Sequence, residues 1–368
     1  MIKAFDFAKK NAVVLIAALA AIITSFIVPP DGEYLNYFDF KTLSCLFCVL
    51  CVVGALRNIR FFYTIAKAIV KKFKNTRMSI LALVYITFLG SMLIANDMAL
   101  LTFLPLGYFV LHTTGKDKYL AFAFIMQNIA ANLGGMLTPF GNPQNLYLYT
   151  KFNIPDLEFI TIMLLPFVIS IALITVCCVV FVKNEPIEIK EGIPSLPVWR
   201  TVIYLLLFAL SIAIVFRGIP YFVGLIVIPA VLLFMDRKAL KEVDYGLLLT
   251  FTFFFIFSGN MSRIEAVSSF FSYLLSINTL VFSALSCQVI SNVPSAILLS
   301  RFTSNYRELL LGVNIGGVGT LISSLASLIT FKEYNRQSPN HSLSYILKFS
   351  IYNFSFLIIL VLVCSIFG

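Results

Sequence analysis

An uncharged run of amide, glycine and proline residues interrupts a long apolar stretch of the chain, NIAANLGGMLTPFGNPQN at 128–145. Pro139 and Pro143 lack the N–H group that continues a helix, and unwound backbone at membrane depth needs protein or a water-filled cavity to satisfy its polar groups. Freed carbonyls and amide side chains can hold a cation, and helix N-termini favour an anion. The run therefore predicts an ion or solute site, with close packing of the glycines as the alternative.

A second run resembles the first in residue types and spacing. NLGGMLTPFGN at 132–142 aligns with NIGGVGTLISS at 314–324, so that an asparagine, a glycine pair and a threonine coincide. Two such runs predict two broken helices whose polar residues line a site. The candidate binding residues in these runs are Asn132, Thr138, Gly141, Asn142, Asn145, Asn314, Gly319, Thr320, Ser323 and Ser324.

Two further apolar stretches carry polar residues near their middle, IANDMALL within 78–113 and VISNVPSAI within 275–304. Each stretch is predicted to leave and re-enter on the same side of the membrane as a helical hairpin. Two ordinary antiparallel spans joined by a tight polar turn are the alternative. The candidate binding residues at the tips are Asn96, Asp97, Ser291, Asn292 and Ser295.

Asp97 is the only acid that this topology places at membrane depth, where a charge costs about 2.5–3.5 kcal/mol on insertion scales. Acids inside the membrane tend for that reason to be functional. Asp97 is a candidate to coordinate sodium or to carry a coupling proton, and an acid in a loop outside the membrane is the alternative. An ionised Asp97 would repel a bound anion unless a cation accompanied it.

The composition is that of a membrane protein, since 60% of the 368 residues are hydrophobic and 12% are charged. About 20 apolar residues cross the bilayer core, and the clearest candidate spans are 11–29, 41–57, 158–183, 197–215, 219–236 and 341–367. No small-residue cleavage site follows the first run, so we expect a retained span rather than a secretory signal. With two histidines and no phosphate-cradling glycine-rich loop, we expect no catalytic residue, no cofactor and no ATP-driven pumping.

The net charge of +10 is explained by membrane orientation and needs no nucleic acid. A cytoplasmic N-terminus sorts the 27 basic residues into six outside and the other 21 inside, which is the usual cytoplasmic bias. We therefore predict the cytoplasmic membrane as location, with the N-terminus inside and the C-terminus outside. The six predicted outside are Lys41, Lys151, Arg217, Arg263, Arg301 and Arg307.

The order of elements occurs twice along the chain. FDFKTLSCLFCVLCVVGALRN near residue 38 resembles VDYGLLLTFTFFFIFSGN near 243, and each is followed by an amphipathic stretch, a hairpin and a broken span. Each copy has four spans, an even number, so a second copy would start on the same side of the membrane as the first. The extra span at 197–215 reverses that side and inverts the second copy, which is a transporter architecture with its site near the midplane. The predicted fold class is an all-α polytopic membrane protein with an inverted repeat, two re-entrant helical hairpins and two broken helices.

This reading divides the chain into six parts. They are scaffold spans of repeat 1 at 1–57; a cytoplasmic amphipathic arm at 58–77; a transport part at 78–183, with hairpin 78–113, broken helix 118–150 and span 158–183; a linker span and scaffold spans of repeat 2 at 184–258; an extracellular-side amphipathic arm at 259–274; and a second transport part at 275–368, with hairpin 275–304, broken helix 306–331 and span 341–367.

The hairpin tips AND at 95–97 and ISNVPSA at 290–296, each followed by a broken helix, resemble a known family. It is the ion transporter superfamily, which includes divalent-anion/sodium symporters, citrate transporters, arsenite permeases and sodium/proton antiporters. In its carboxylate-carrying branch both tips resemble a Ser-Asn-Thr motif whose asparagine helps hold sodium and substrate. The resemblance implies that Asn96, Ser291 and Asn292 are site residues.

The tips also depart from that motif. Ala95 and Asp97 stand in place of Ser and Thr at the first tip, and Val293 stands in place of Thr at the second. A carboxylate substrate is thereby less well supported, and NDMALLTFLP is closer to the arsenite-permease and antiporter side. Asn96, Asp97 and Asn292 are the candidates to hold a sodium ion.

The resemblance implies a secondary active transporter that moves a small anion or oxyanion, coupled to sodium or protons, by an elevator-type alternating-access mechanism. It also implies a homodimer joined through scaffold spans, with a small-molecule or inorganic ion as substrate and membrane lipid around it. A sodium/proton antiporter or an arsenite efflux permease is the alternative, and an ion channel is a more distant one. A channel needs a continuous pore, whereas paired hairpins with broken helices suit alternating access.

Overall fold

A computed structural model describes residues 12–188, 192 and 194–367. Lys3, Lys9, Lys10 and Lys190, which the orientation prediction places inside, lie outside the described residues. The regular structure of the described chain is helical. Its helices are α1 Ala12–Ile27, α2 Phe40–Asn58, α3 Phe61–Val70, α4 Thr76–Ile94, α5 Asn96–Thr113, α6 Leu120–Gly134, α7 Pro143–Lys151, α8 Asp156–Phe181, α9 Val198–Val215, α10 Tyr221–Met235, α11 Arg237–Lys241, α12 Tyr245–Ser262, α13 Glu265–Ile277, α14 Thr279–Ile290, α15 Asn292–Leu299, α16 Tyr306–Ile315, α17 Leu325–Gln337 and α18 Ser342–Phe367.

Six helical segments of the described chain are long and apolar enough to cross a membrane. They are Phe40–Asn58, Thr76–Ile94, Asp117–Leu137, Asp156–Phe181, Val198–Val215 and Pro339–Phe367. Several of them expose apolar side chains on their outer faces, and on α8 Leu157, Val168 and Val180 are each more than half exposed. Large exposed apolar surfaces of this kind suit contact with lipid. The chain is a multi-pass membrane protein.

The spans at the beginning of the two halves pack reciprocally. α1 packs along α12, and α10 packs along α2, which also contacts α9. Asp39 and Asp244 cap α2 and α12 in the same way, because each carboxylate accepts a hydrogen bond at 2.9 Å, from the N–H groups of Thr42 and Leu247 respectively. Such caps satisfy N–H groups that a helix leaves free in its first turn. The acids in FDF and VDY therefore mark similar helix starts.

Polar contacts between connections define one end of the helical body near the C-terminus of α2. Asn58 donates to Asp236 at 3.1 Å. Lys116 and Lys118 both donate to the carboxylate of Glu185, at 2.5 and 2.7 Å. The basic residues here belong to the set that the charge distribution predicts to be inside.

The N-terminus of α2 marks the other end of the body. There Arg263 donates to both carboxylate oxygens of Asp31, at 3.1 and 2.7 Å, and to the hydroxyl of Tyr37 at 3.1 Å. Arg301 donates to Tyr37 O at 2.9 Å. Both arginines belong to the set that is predicted to be outside.

The hairpins start from opposite ends of the body. The first consists of α4 and α5 and starts beside Glu185, because Thr76 N–H donates to Glu185 O at 2.8 Å. The second consists of α14 and α15 and ends beside Arg301. With 12 and 8 residues and about 1.5 Å per residue, α14 and α15 are too short to cross a core of about 30 Å. The 19 and 18 residues of α4 and α5 are long enough to do so.

Helix ends in the second half differ from the predicted ranges. The amphipathic arm predicted at 259–274 is Glu265–Ile277, because α12 continues to Ser262 before the chain bends by 96°. The second hairpin then begins at Thr279, where the side chain of Asn278 accepts a hydrogen bond from Val281 N–H at 2.8 Å and caps α14. It occupies 279–299 rather than 275–304.

Both predicted broken spans are broken in the structure. α6 and α7 are separated by residues 135–142, the first break, and α16 and α17 by residues 316–324, the second break. Asn142 and Ser324 have extended backbone and immediately precede the second helix of each span. Gly319 has a φ of +128°, which favours glycine. α17 packs against α5 and α6, and α7 packs against α15 and α16, so that each break lies beside the opposite half.

Candidate functional site

The two hairpin tips share one backbone geometry. Ala95 has φ 63° and ψ 151°, and Ser291 has φ 73° and ψ 158°, a region that residues other than glycine rarely occupy. The next residues match as well, since Oδ1 of Asn96 and Oδ1 of Asn292 each accept a hydrogen bond from the following N–H group at 2.9 Å. Backbone strain of this kind concentrates at functional sites, so the tips are the first candidates for a binding role.

Each hairpin is attached to its broken span by an equivalent threonine. Thr138 donates from Oγ1 to Met92 O at 2.8 Å, and Thr320 donates from Oγ1 to Gln288 O at 3.1 Å. Met92 and Gln288 each lie three residues before the strained residue of their tip. The sequence alignment of the two breaks is therefore matched by equivalent contacts.

Glycines allow this close attachment. A Cβ atom built on Gly134 would lie 2.2 Å from Phe88 O in α4, and one built on Gly316 would lie 2.9 Å from Ala284 Cα in α14. Both distances are shorter than real Cβ contacts. The packing interpretation of the glycine pairs thus holds for the first glycine of each pair.

Five buried asparagines form a connected set that we call the amide cluster: Asn96, Asn132, Asn142, Asn145 and Asn314. Asn96 Nδ2 donates to Asn132 Oδ1 at 3.1 Å. Asn142 Nδ2 lies 3.3 Å from Asn132 O and 3.4 Å from Asn314 Oδ1. Asn314 Nδ2 donates to Asn145 Oδ1 at 2.6 Å, and Asn145 Nδ2 lies 3.2–3.3 Å from three carbonyl oxygens of the first break. The cluster connects the first tip to both broken spans.

The second tip reaches the same place through Gly317. A Cβ atom built on Gly317 would lie 3.2 Å from Asn292 Nδ2 and 3.6 Å from Asn132 Oδ1, the atom that accepts from Asn96. Asn292 N–H also donates to Ser323 O at 2.9 Å. The structure therefore brings the asparagines of both tips to one region between the two breaks.

The second tip is held more firmly than the first. Gln288 donates from Nε2 to Gly316 O at 2.9 Å and to Val318 O at 3.2 Å, and its Oε1 accepts from Thr320 N–H at 2.9 Å. Met92 occupies the corresponding position in the first hairpin and cannot form these bonds. The two halves of the site thus differ in how tightly their hairpins are attached.

Asp97 lines a cavity between the first tip, α2 and the start of α12, next to the amide cluster. We call it the acidic cavity, because Asp97 and Asp244 both line it together with Asn142. Oδ1 of Asp97 and Oδ1 of Asn142 are buried without a hydrogen-bond partner. The lining contains no lysine or arginine of the described chain. A buried carboxylate without a partner is unfavourable, so this cavity favours a cation.

Four predicted site residues have local structural roles. Ser295 and Ser286 share a hydrogen bond of 2.9 Å within the second hairpin, and Ser324 caps α17 by accepting from Ala326 N–H at 3.2 Å. Gly141 and Gly319 permit close backbone approach, because Cβ atoms there would lie 2.3 Å from Gly135 O and 2.1 Å from Gln288 Oε1. They shape the breaks around the amide cluster.

Two functional candidates were missed by the sequence analysis. The sequence shows Asp244 only as part of the VDY run at the start of a span, and it predicts Asp97 as the only acid at membrane depth. Gln288 is the single amide in the apolar helix before the second tip, and that isolation was a usable signal. Nothing in the spacing indicated that Asp244 and Asp97 would share a cavity.

The family is decided by a match over most of the chain. A sequence profile described as the citrate transporter family matches residues 3–306. The chain belongs to the citrate transporter family. This assignment agrees with the superfamily that the hairpin tips indicated.

Several relatives support the family assignment. An uncharacterised transporter of Methanocaldococcus jannaschii is 34% identical to this chain over 304 residues, which are 82% of this chain and 83% of that protein. The inner membrane protein YbiR of Escherichia coli is 28% identical over 326 residues, 86% of each chain. A silicon efflux transporter of Oryza sativa subsp. japonica is 28% identical over 147 residues, 39% of this chain and 30% of that protein. The chain is thus a secondary transporter of the citrate transporter family, and not an enzyme.

Proposed function

We propose that this protein moves a small anion or oxyanion across the cytoplasmic membrane, driven by a gradient of sodium ions or protons. One observation carries the proposal: two strained hairpin tips of equal geometry meet at a buried amide cluster, directly beside an acidic side chain without a hydrogen-bond partner for its Oδ1. Amides and free helix N-termini recognise the oxygens of the substrate. The carboxylate of Asp97 recognises the coupling ion.

The proposed mechanism is alternating access through an inverted repeat. Hairpins that start from opposite ends, reciprocal packing of α1 on α12 and of α10 on α2, and equivalent threonine contacts at the two tips support the repeat. In this interpretation both hairpins are re-entrant, although the helices of the first are long enough to cross the bilayer core. α3 and α13 are then the amphipathic arms that connect scaffold spans to the transport parts. Inverted repeats with broken helices place the site at the membrane midplane.

Movement of the transport parts against the scaffold would follow the elevator type that the family resemblance implies. The domain division predicted from the sequence gives the scaffold as the spans before each arm and the transport parts as the hairpins, broken helices and following spans. The proposed orientation has the Glu185 end in the cytoplasm and the Arg263 end outside. A homodimer through the scaffold is part of the same proposal.

The coupling ion is assigned to the first tip. Asn292 offers its amide group beside Gly317, Asn96 reaches the same region through its hydrogen bond to Asn132, and Asp97 supplies the negative charge next to Asn96 at the tip. Thr138 and Thr320 hold the two hairpins against the breaks, and Ser323 Oγ donates to Gly317 O at 2.9 Å. A bound sodium ion or proton would offset the charge of Asp97 and so permit an anion to bind nearby.

A second candidate is efflux of an uncharged oxyacid in exchange for protons, as in an arsenite efflux permease. A sodium/proton antiporter is a related candidate and would use the Asp97 carboxylate as well. The observation that favours an uncharged substrate is that no lysine or arginine takes part in the hydrogen bonds of the amide cluster or lines the acidic cavity in the described chain. A multiply charged carboxylate such as citrate would lack a compensating positive charge there. The partial relative named for silicon efflux is consistent with this candidate.

The proposal is tested with purified protein in two steps. Thermal stabilisation is first screened across small carboxylates, oxyanions and their uncharged acids, with and without sodium. Flux of each stabilising solute is then measured in proteoliposomes under a sodium or a pH gradient. We expect saturable flux that follows one gradient. Single-molecule currents that rise linearly with solute concentration and do not depend on the sodium or the pH gradient would instead identify a channel.

A further inference from the structure

Another cavity lies where the amphipathic helix α3 meets the end of α2 and the first hairpin, and we call it the arm cavity. Its volume is about 340 Å³, within the range of about 300–1,000 Å³ that is usual for ligand pockets. No aspartate or glutamate of the described chain lines it, so its charge is opposite to that of the acidic cavity. The lining residues are Arg57, Arg60, Phe62, Tyr63, Leu101, Thr102 and Pro105.

The two arginines of the arm cavity are not fully compensated by acids. The guanidinium group of Arg60 forms no hydrogen bond or ion pair within the described chain. Arg57 lies 3.5 Å from the carboxylate of Glu242, and its Nη1 donates to Met98 Sδ at 3.3 Å, although a thioether sulfur is a weak acceptor. Glu242 is itself shared, because Lys238 Nζ lies 3.5 Å from its other carboxylate oxygen. The arm cavity therefore carries excess positive charge.

The start of α3 supplies further hydrogen-bond donors. α3 has 10 residues and begins after Arg60, whose side chain does not cap it. The first N–H groups of a helix lack an intrahelical partner and favour an anion, and Phe62 and Tyr63 of this first turn line the cavity. The hydroxyl of Tyr63 forms no hydrogen bond within the described chain. Guanidinium groups with neighbouring N–H and O–H donors suit the oxygens of a phosphate group.

The opposite wall of the arm cavity is apolar and reaches the outer surface. Leu101 and Pro105 of α5 form it, and Leu101 is 48% exposed. The cavity lies at the C-terminal end of α2, which belongs to the end of the body that the charge distribution predicts to be cytoplasmic. Basic pockets between helices on that side of a membrane recognise the headgroups of anionic lipids. A phospholipid could place its phosphate on the arginines and its apolar part against α5.

We propose that the arm cavity binds a phosphate group through Arg57 and Arg60. An anionic phospholipid headgroup and free inorganic phosphate share this chemistry, and the apolar wall favours the lipid. The site goes beyond the proposed function, because it shares no lining residue with the acidic cavity and takes no part in recognising the substrate or the coupling ion. A bound lipid contacts both α3 and α5 and thereby stabilises the packing of the arm against the first hairpin.

The test compares Arg60→Asn with Lys72→Asn in the delipidated full-length protein in an uncharged detergent. Each variant loses one positive charge, but Lys72 is exposed beyond the end of α3 and does not line the arm cavity. Arg60 has a left-handed backbone with φ 57°, which asparagine tolerates well, so we expect Arg60→Asn to fold. If it does not, Arg60→Gly replaces it.

Thermal stabilisation is titrated with phosphatidylglycerol, with phosphatidylcholine, which has no net charge, and with inorganic phosphate at constant ionic strength. We expect the half-saturating concentration of phosphatidylglycerol to rise about tenfold in Arg60→Asn, because a charge-assisted hydrogen bond is lost. In Lys72→Asn it should equal the wild-type value. Stabilisation by phosphatidylglycerol alone identifies the lipid as the source of the phosphate, whereas stabilisation by inorganic phosphate as well shows that free phosphate is sufficient.

Three results would overturn the inference. They are no stabilisation by phosphatidylglycerol or inorganic phosphate, equal stabilisation by phosphatidylcholine, and equal half-saturating concentrations in Arg60→Asn and Lys72→Asn. Equal values in the two variants would show a diffuse attraction between the basic arm and anionic lipid, without a site. None of these results bears on the proposed function, which depends on ion-coupled flux and on Asp97.

Discussion

Ala95 and Ser291 adopt the same strained backbone conformation at the tips of the two hairpins, with φ of 63° and 73°. Neither residue is glycine. A residue with a side chain in this sparsely populated φ/ψ region costs about 1–3 kcal/mol. The strain is retained at both tips, immediately before the asparagines that meet at the amide cluster. Equal strain in both halves is what a pair of equivalent binding tips requires.

Relief of that strain should stabilise the protein. We predict that Ala95→Gly leaves the free energy of unfolding unchanged or raises it by up to about 1 kcal/mol, after the entropy cost of glycine in the unfolded chain. The matched control is Ala99→Gly, four residues later in α5, which should lose about 1 kcal/mol because glycine weakens a helix interior. Thermal unfolding in detergent measures both. Equal losses in the two variants would show that Ala95 is unstrained.

The attachment of the second hairpin depends on Gln288. Gln288→Met introduces the residue that the first hairpin has at this position, and leaves two carbonyls and one N–H group of the second break without their partner. We predict a loss of about 1–3 kcal/mol in stability. Gln337→Met, at the end of α17, should change stability by less than about 0.5 kcal/mol. A similar effect in both variants would contradict a docking role for Gln288.

The hydrogen bonds that Lys116 and Lys118 donate to Glu185 should make stability depend on pH. Hydrogen bonds from the two lysines hold the pKa of Glu185 well below 4.5, at about 2. A lowered carboxyl pKa stabilises the folded state above pH 4.5, and that contribution is lost as the pH falls from 4.5 towards 2. Glu185→Gln should therefore melt at a lower temperature than the wild type at pH 7. The gap should shrink as the pH falls below 4.5, and a gap that stays constant would exclude this cause.

The two ends of the helical body can be assigned by cysteine labelling. Lys72 and Arg307 are both exposed and lie in the sets predicted to be inside and outside. Lys72→Cys should react with an impermeant thiol reagent only from the cytoplasmic side, and Arg307→Cys only from the opposite side. The seven native cysteines are buried, apart from the half-buried Cys177, and give a low background. The reverse pattern would overturn the orientation inferred from positive charge.

Lys116 and Arg217 are less suitable for labelling, although the charge argument also placed them on opposite sides. Lys116 is bound to Glu185. Arg217 donates to Tyr149 O and Ile154 O at 2.9 and 3.1 Å and thereby holds the end of α7. A cysteine at either position would remove a structural contact.

Much of the fold was predictable from the sequence, because membrane spans depend on local hydrophobicity and breaks depend on local glycine and proline. Asn142 and Gly319 are examples: their neighbours alone indicate that the helix stops there. The end of α12 was less predictable. Phe257 to Ser262 have the apolar and small residues of both a span and an amphipathic arm, so the sequence does not show where the bend occurs.

The site was only partly predictable, because its contacts join residues that are distant in the chain. The asparagines of the amide cluster could be named, since amides are rare in apolar runs, but not their connection. Asn142 and Asn314 meet across 172 positions of the sequence. The meeting of Asp97 with Asp244 depends on how the first hairpin lies against α12, and no local pattern encodes that.

The most direct test of ion coupling is gradient-driven flux in proteoliposomes containing Asp97→Asn. The amide has nearly the same shape and capping ability as the acid but lacks the charge. Asp117→Asn, at an exposed position in the short turn of helix before α6, is the control. We predict that Asp97→Asn loses the dependence of flux on sodium or pH, while its thermal stability without sodium holds or rises because an unpaired buried charge has been removed. Flux and ion dependence equal to those of the wild type and of Asp117→Asn would contradict the assignment of coupling to Asp97.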